Sequence, residues 1–140
     1  MLIGVYHMVN KIMIVDDDPS INYTIKNGIE GINSNYEIIT KESGKECLEF
    51  LESNQIPDLI ILDIMMPELS GWETYQKIRE KLSSDKLPII FLTARKDQVA
   101  EKAGGFLGED YIEKPVKIED LLVRIEKVLK KTNPKNKPLK

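Results

Sequence analysis

The sequence predicts an α/β fold in which a five-stranded parallel sheet is covered by helices on both faces. Five short apolar runs alternate with segments whose apolar residues recur at helical spacing. The runs are continuously apolar, which is typical of parallel strands buried on both faces. Polar residues follow four of these runs, where the strands would leave the sheet. Because open sheets of this kind bind ligands at the carboxyl ends of their strands, these positions form the predicted functional site.

The first two strand–helix pairs have clear boundaries in the sequence. Strand 1 is predicted over Lys11–Val15, and Asp18-Pro19 then fits an N-cap followed by proline at the first helical position. This helix is expected to end near Gly31. A short strand over Tyr36–Thr40 precedes a capping-box pattern at residues 43–46, which predicts the start of the second helix.

The later elements follow the same alternation. The remaining strands are predicted over Asp58–Asp63, Ile89–Leu92 and Tyr111–Glu113. Residues 66–71 are predicted to form a loop, after which Trp72, Tyr75, Ile78 and Leu82 give the third helix its apolar face. The last helix has the clearest apolar face. It consists of Ile118, Leu121, Leu122, Ile125, Val128 and Leu129.

The segment between strands 4 and 5 has the weakest helical pattern. Residues 96–107 offer only Val99, Ala103 and Phe106 as core contacts, and Gly104-Gly105 interrupts them. Each glycine costs about 0.5–1 kcal/mol relative to alanine inside a helix. We therefore predict a mobile or irregular fourth helix, with weak amide-exchange protection over residues 98–106.

Size and composition fit one globular domain. The chain has 140 residues, of which 41% are hydrophobic and 31% are charged, so a core can form and general disorder is not indicated. Five of the 20 basic residues lie after position 129, which leaves 15 basic against 23 acidic residues before it. An acidic body suits a divalent-cation site and disfavours direct contact with nucleic acid.

The sequence also indicates a location. The single cysteine, Cys47, allows no intramolecular disulfide, which fits a reducing compartment. No segment approaches the ~20 apolar residues of a membrane span, and residues 1–10 lack the pattern of a signal peptide. We expect a cytoplasmic protein without membrane association. Residues 1–10 are interpreted as an N-terminal extension and residues 132–140 as a flexible basic tail.

Carboxylates, a hydroxyl and a lysine are predicted to meet at the carboxyl edge of the sheet. Asp16-Asp17 follow strand 1, Asp63 ends strand 3, Thr93 follows strand 4 and Lys114 follows strand 5. Three carboxylates in one pocket repel each other, and a divalent cation or the lysine would relieve that repulsion. Mg²⁺ prefers oxygen ligands, and such a pocket can neutralise a phosphoryl group. The pattern therefore predicts uptake of a phosphoryl group on an aspartate.

Four segments of the chain resemble the response-regulator receiver domain of two-component signalling. They are Ile12–Pro19, Leu59–Pro67, Phe91–Ala94 and Tyr111–Pro115. One such motif would be weak, but all four in order at compatible spacing are specific. The resemblance implies a receiver domain over residues 11–131. It also implies a flavodoxin-like fold with strand order 2-1-3-4-5 and five helices.

The resemblance implies a magnesium-dependent phosphoacceptor. Asp63 would accept the phosphoryl group from a histidine kinase or a phosphotransfer protein. Asp17 would bind Mg²⁺ directly and Asp16 through water, while Asp63 and the backbone carbonyl of Met65 would complete the protein ligands.

Two further residues complete the implied phosphoryl site, and one of them belongs to a switch. Thr93 would hydrogen-bond the phosphoryl group and Lys114 would pair with it. Tyr111 would turn inward when Thr93 moves, so Thr93 and Tyr111 form the implied switch.

The predicted function is a phosphorylation-switched signalling module that acts on no external substrate. Its catalysis would be limited to its own phosphorylation from small phosphodonors and its own dephosphorylation. The chain length leaves no room for an output domain, so we expect a stand-alone regulator that contacts an unidentified downstream protein or passes its phosphoryl group along a relay. If the chain is instead a piece of a longer protein, residues 132–140 are where a linker would start. The glycine-interrupted fourth helix argues against the dimer surface that many relatives use.

Three other functions fit the sequence less well. A haloacid-type hydrolase would need a second aspartate where Met65 stands, and a flavin-binding flavodoxin would not place three aspartates after strand 1. A degenerate receiver acting only as a binding scaffold is disfavoured, because Asp63, Thr93 and Lys114 are all intact. Asp18 is interpreted as a helix cap, because the strand register favours Asp16 and Asp17 as the acidic pair. Ser70, where the family often has aspartate, is expected to have little effect.

Overall fold

The computed structural model describes residues 9–94 and 110–132, within which five strands alternate with four helices. The strands are β1 (Asn10–Val15), β2 (Tyr36–Lys41), β3 (Leu59–Asp63), β4 (Ile89–Thr93) and β5 (Asp110–Glu113). The helices are α1 (Pro19–Ile32), α2 (Gly44–Glu52), α3 (Gly71–Arg79) and α4 (Ile118–Thr132). Every predicted element in the described ranges is present, and the strand ends differ from the predicted ones by one residue or none.

The sheet is parallel throughout and has the order β2-β1-β3-β4-β5, which confirms the predicted topology. In the register, Val15 lies opposite Leu62, and Asp63 lies opposite Leu92. From β1 the chain continues to β2 on one side of the sheet, and from β3 it continues to β4 and β5 on the other side. The neighbouring strands β1 and β3 therefore form the switch point of the sheet. Residues that follow β1 and β3 therefore lie close together at the carboxyl edge.

Two apolar cores cover the two faces of the sheet. Ile12, Ile14 and Ile61 point to one face, where α1 and α4 pack. Met13 and Ile60 point to the opposite face, where α2 and α3 pack. All five residues of β3 and all five of β4 are buried. Burial on both faces explains why these strands read as continuous apolar runs.

The helix starts follow from capping residues. Asp18 caps α1 by accepting a hydrogen bond from the Ser20 amide, with Pro19 opening the helix as predicted. Ser43 caps α2 by accepting from the Glu46 amide, while the Glu46 carboxylate accepts from the amide of residue 42. The reciprocal bond of the predicted capping box is therefore displaced by one residue.

Some predictions concern residues outside the described ranges. One is the irregular helix predicted over residues 96–107, between β4 and β5, with Val99, Ala103, Phe106 and Gly104-Gly105. The N-terminal extension and the basic tail also stay predictions, although β1 begins at Asn10 and α4 ends at Thr132. None of the four described helices has both the length and the apolar character that crossing a membrane requires.

Candidate functional site

Three carboxylates converge at the carboxyl edge of the sheet. Asp16, Asp17 and Asp63 each offer a carboxylate oxygen, and these oxygens all lie within 4.8 Å of one another. Asp16 and Asp63 are 0% and 3% exposed, respectively, whereas Asp17 is open to solvent. The pocket therefore has a buried acidic floor and an accessible acidic rim.

Lys114 supplies the positive charge of this pocket. Its ammonium nitrogen lies 2.9 Å from Asp16 Oδ2 and 3.3 Å from Asp63 Oδ1. The Lys114 backbone amide donates to the carbonyl oxygen of Thr93 at 2.8 Å, which fixes the lysine directly after β5. The peptide bond from Lys114 to Pro115 is cis. One ammonium thus faces two buried carboxylates.

Asp16 is held on several sides. Its Oδ1 accepts a hydrogen bond from the Asp18 amide at 2.9 Å, and its own amide donates to the Lys41 carbonyl at 3.1 Å. Its buried Oδ2 makes no hydrogen bond of good geometry within the described residues, although the Lys114 ammonium lies nearby. This oxygen can therefore accept a further hydrogen bond, for example from a water molecule bound to a cation.

The electrostatics of the pocket favour an additional cation. Burial and the neighbouring Asp16 charge raise the pKa of Asp63 to about 6, although Lys114 and the Met65 amide oppose that rise. Burial acts to lower the pKa of Lys114, but the nearby Asp16 and Asp63 carboxylates outweigh it, so this pKa is raised. The all-oxygen donor set with excess negative charge is the kind that Mg²⁺ prefers.

The loop after Asp63 is anchored at both ends. The Met65 amide lies 3.4 Å from Asp63 Oδ1, and Met65 is 74% exposed. At the far end, the Gly71 amide donates to the Ile64 carbonyl at 2.8 Å. A Cβ atom at Gly71 would overlap the backbone carbonyl of Asp63, so only glycine permits this approach.

A capping box follows this loop and was not predicted. The Ser70 hydroxyl accepts from the Glu73 amide, and the Glu73 carboxylate accepts from the Ser70 amide. The signal was present in the sequence as Ser70 followed three residues later by Glu73. Ser70 therefore starts α3 and helps to fix the end of the loop that begins at Asp63.

Thr93 and Tyr111 occupy neighbouring strands at different depths. Thr93 is buried at the end of β4, one residue beyond Leu92, which is the register partner of Asp63. Tyr111 lies opposite Phe91 in the β4–β5 register, and their rings stack with centroids 5.5 Å apart. The Tyr111 side chain is half-buried against the α2–α3 core.

The structure brings together most of the predicted site residues. Asp16, Asp17, Asp63 and Lys114 meet in one pocket, and Thr93 lies at the same edge. Tyr111 lies further back, beside Phe91. Besides the Ser70 capping box, sequence reasoning missed three supporting features. They are the Asn22 side chain against the β1–α1 loop, the close approach of Gly71 and the cis bond before Pro115.

Comparisons with known proteins agree with this geometry. The family model of the response regulator receiver domain matches residues 12–126. The response regulator MprA of Mycobacterium sp. (strain KMS) is 35% identical over 130 residues, which cover 91% of this chain and 54% of MprA. The chain thus spans about half the length of the curated relatives it matches.

Solved structures show the same fold. The response regulator TrrA of Thermotoga maritima, in complex with Mg²⁺-BeF, is 34% identical with a TM-score of 0.75, covering 86% of this chain and 100% of that one. The chemotaxis protein CheY4 of Vibrio cholerae is 28% identical with a TM-score of 0.75, covering 86% and 99%. The fold is flavodoxin-like, and this chain belongs to the family of response regulator receiver domains.

Proposed function

We propose that this domain is the phosphoacceptor of a two-component or phosphorelay system and that Asp63 receives the phosphoryl group. The observation that carries the proposal is the arrangement of charges around Asp63. The buried carboxylates of Asp16 and Asp63 share the Lys114 ammonium, and the exposed Asp17 stands within 4.8 Å at the rim. An aspartate at the carboxyl end of a strand is thereby surrounded by the charges that phosphoryl transfer uses.

The Asp63 carboxylate acts as the nucleophile in this proposal. One of its oxygens attacks the phosphorus, and the bond from phosphorus to the imidazole nitrogen of the donor breaks. The electron pair of that bond stays on the nitrogen, and Asp63 carries an acyl phosphate. With a pKa of about 6, Asp63 is mainly ionised at neutral pH and ready to attack.

The surrounding residues balance the charge of the transferred group. Mg²⁺, when bound, neutralises charge on the phosphoryl oxygens. Asp16, Asp17, Asp63 and the Met65 backbone carbonyl would hold it. The Lys114 ammonium, already 3.3 Å from Asp63 Oδ1, is placed to pair with a phosphoryl oxygen, and it remains charged because its pKa is raised. Thr93 would donate its hydroxyl to another phosphoryl oxygen.

Thr93 and Tyr111 would transmit the change to the surface. Movement of Thr93 toward the phosphoryl group alters the end of β4, against which β5 and Tyr111 lie. Tyr111 stacks on Phe91 at the edge of the core and is half-buried. Its ring can therefore change position without loss of the main core, which supports its assignment as the switch aromatic.

The phosphodonor would be a histidine kinase or a phosphotransfer protein. An apolar groove of about 470 Å³ lies beside Lys114, between α1 and the segment after β5, and Ile21, Thr24, Pro115 and Val116 contribute to its lining. Its position next to the phosphoacceptor suits a partner that presents a phosphohistidine.

The downstream target is a further protein, and the proposed location is the cytoplasm. Phosphorylation and dephosphorylation of its own Asp63 are the domain's proposed catalysis.

The test is the intact mass of the protein after incubation with acetyl phosphate. Wild type and Asp63→Asn are compared with and without Mg²⁺. We expect one added phosphoryl group in the wild type with Mg²⁺ and none in the other three samples. If no adduct forms, and beryllofluoride with Mg²⁺ also leaves Trp72 and Tyr111 fluorescence unchanged, the phosphoacceptor proposal fails and the scaffold function gains support.

A further inference from the structure

Asn22 is a polar residue on the buried face of α1. It is 3% exposed and shares that face with the buried Ile25 and Ile29. A buried carboxamide loses its hydrogen bonds to water and must replace them within the protein. An apolar residue would meet the packing requirement of this position without that cost.

The Asn22 amide group joins the ends of two strands. Its Nδ2 donates to the carbonyl oxygen of Asp16 at 2.9 Å and to that of Lys41 at 3.2 Å. The Lys41 carbonyl also accepts from the Asp16 amide at 3.1 Å. Asp16 is thus held through both its amide and its carbonyl, and one of these two bonds comes from Asn22.

The bond to the Asp16 carbonyl has a geometric consequence for Asp17. That carbonyl and the Asp17 amide belong to the same planar peptide unit. A hydrogen bond that fixes the orientation of this plane also fixes the direction in which the chain enters Asp17. The exposed carboxylate of Asp17 completes the acidic cluster, so its approach to Asp16 and Asp63 depends on that plane.

The chemistry of the Asn22 carboxamide suits the donation of two hydrogen bonds to carbonyl oxygens. The buried Oδ1 of Asn22 makes no hydrogen bond within the described residues, which is unfavourable. The two hydrogen bonds that Nδ2 donates offset this cost. Aspartate has the same shape but would direct an acceptor at two carbonyl oxygens. Among residues of this size, asparagine provides two N–H donors without a charge.

We propose that Asn22 is a positioning residue for the metal-binding aspartates: it sets the plane of the peptide between Asp16 and Asp17 and thereby raises the affinity of the acidic pocket for a divalent cation. This inference rests on the proposed function. Asn22 itself contacts neither the cation nor the phosphoryl group. Removal of its amide should weaken cation binding while leaving the reacting groups in place.

The test measures Mn²⁺ binding by electron paramagnetic resonance, with Mn²⁺ as the probe for the magnesium site. We expect Asn22→Ala to raise the Mn²⁺ dissociation constant roughly tenfold, as for loss of a group that orients a metal ligand. At saturating Mg²⁺, its final labelling by acetyl phosphate should match the wild type. Asn27→Ala, an exposed asparagine on the same helix, is the matched control and should bind as the wild type does.

A second control separates positioning from general stability. Ile29→Val removes one methylene from the core side of α1 and should lower the melting temperature without changing the dissociation constant. An equal weakening by Ile29→Val would overturn the inference, and so would unchanged binding by a folded Asn22→Ala. If circular dichroism shows that Asn22→Ala is unfolded, Asn22→Ser replaces it. Its single hydroxyl donor should give an intermediate constant, and a wild-type constant would contradict the proposal.

The outcomes for the wild type distinguish the two proposals. If the wild type binds Mn²⁺ and is labelled on Asp63, but Asn22→Ala binds equally well, only the role of Asn22 is refuted. If the wild type neither binds the cation nor is labelled, the phosphoacceptor function fails together with it.

Discussion

Asp63 combines burial with an uncompensated negative charge. It is 3% exposed, it shares Lys114 with Asp16, and its pKa is raised to about 6 by burial and by the Asp16 charge. A buried charge that is incompletely paired destabilises the folded state. Asp63, the proposed phosphoacceptor, should therefore lower the stability of the domain when no cation is bound.

We predict that Asp63→Asn stabilises the metal-free protein by about 1–3 kcal/mol at pH 7.5. The folded pKa of about 6 lies above the ordinary value of 3.8, so the folded state binds the proton more tightly. The penalty is present in full well above pH 6, decreases as the pH falls through 6 and disappears toward pH 4. Urea unfolding at pH 7.5 and at pH 4.5, with EDTA, measures the difference between variant and wild type at each pH.

The same measurement on Asp85→Asn provides the control, since Asp85 is exposed and lies outside the site. Its effect on unfolding should be small at both pH values. A stability gain for Asp63→Asn that stays constant between pH 7.5 and 4.5 would contradict the assignment of a raised pKa.

At the scale of elements, α3 depends on the capping box between Ser70 and Glu73. Both reciprocal hydrogen bonds are present, at 3.1 Å each. We predict that Ser70→Ala lowers the free energy of unfolding by about 1 kcal/mol, because an orphan amide of the first turn loses its acceptor. Chemical denaturation measures the loss, with Ser84→Ala, an exposed serine in a loop, as the control. Equal stability of the two variants would show that the cap contributes nothing.

Two helical glycines should respond to alanine with opposite signs. A Cβ at Gly31 meets no atom within 4 Å, whereas a Cβ at Gly71 would overlap the backbone of Asp63 and Ile64. We predict that Gly31→Ala stabilises the domain by about 0.5 kcal/mol, because it reduces the freedom of the unfolded chain. Gly71→Ala should destabilise it by about 1–3 kcal/mol, because backbone must move.

Thermal unfolding of both glycine variants checks this pair. Acetyl phosphate labelling should also fall for Gly71→Ala and stay unchanged for Gly31→Ala, since only Gly71 supports the Asp63 loop. Stabilisation by Gly71→Ala would mean that the loop accommodates the methyl group, and the proposed anchoring would be wrong.

The sequence predicted some features of the fold better than others. Local interactions leave a pattern in the sequence, whereas contacts between separate segments do not. Local signals such as Asp18-Pro19 and the continuous apolar run of β3 placed α1 and β3 to within one residue. Alternation of strands and helices then predicted which carboxylates would meet. The roles of Asn22 and Gly71 depend on backbone groups of other segments, such as Lys41 and Asp63, that approach only when the chain folds, so no local pattern announces them.

At the scale of the whole molecule, the acidic pocket joins segments that are distant in the chain. Asp16 and Asp17 follow β1, Asp63 ends β3, and Lys114 follows β5. A cation bound there interacts with several of these segments only when the sheet is assembled. Binding to the folded state alone shifts the unfolding equilibrium toward that state. Cation binding should therefore be visible in the stability of the entire domain.

We predict that Mg²⁺ raises the melting temperature of the wild type. At ten times the dissociation constant the gain is about 1.4 kcal/mol, equivalent to roughly 3–6 °C for a domain of this size. NaCl at equal ionic strength should have a smaller effect, because screening relieves repulsion between exposed charges more than between buried ones. Differential scanning fluorimetry over a range of Mg²⁺ concentrations makes the comparison.

The control variants separate a specific site from general salt effects. Asp17→Asn, which removes the exposed carboxylate of the acidic pocket, should require more Mg²⁺ for the same shift, whereas Asp85→Asn should follow the wild type. A melting temperature that Mg²⁺ and NaCl raise equally would mean that the three carboxylates do not form a specific cation site.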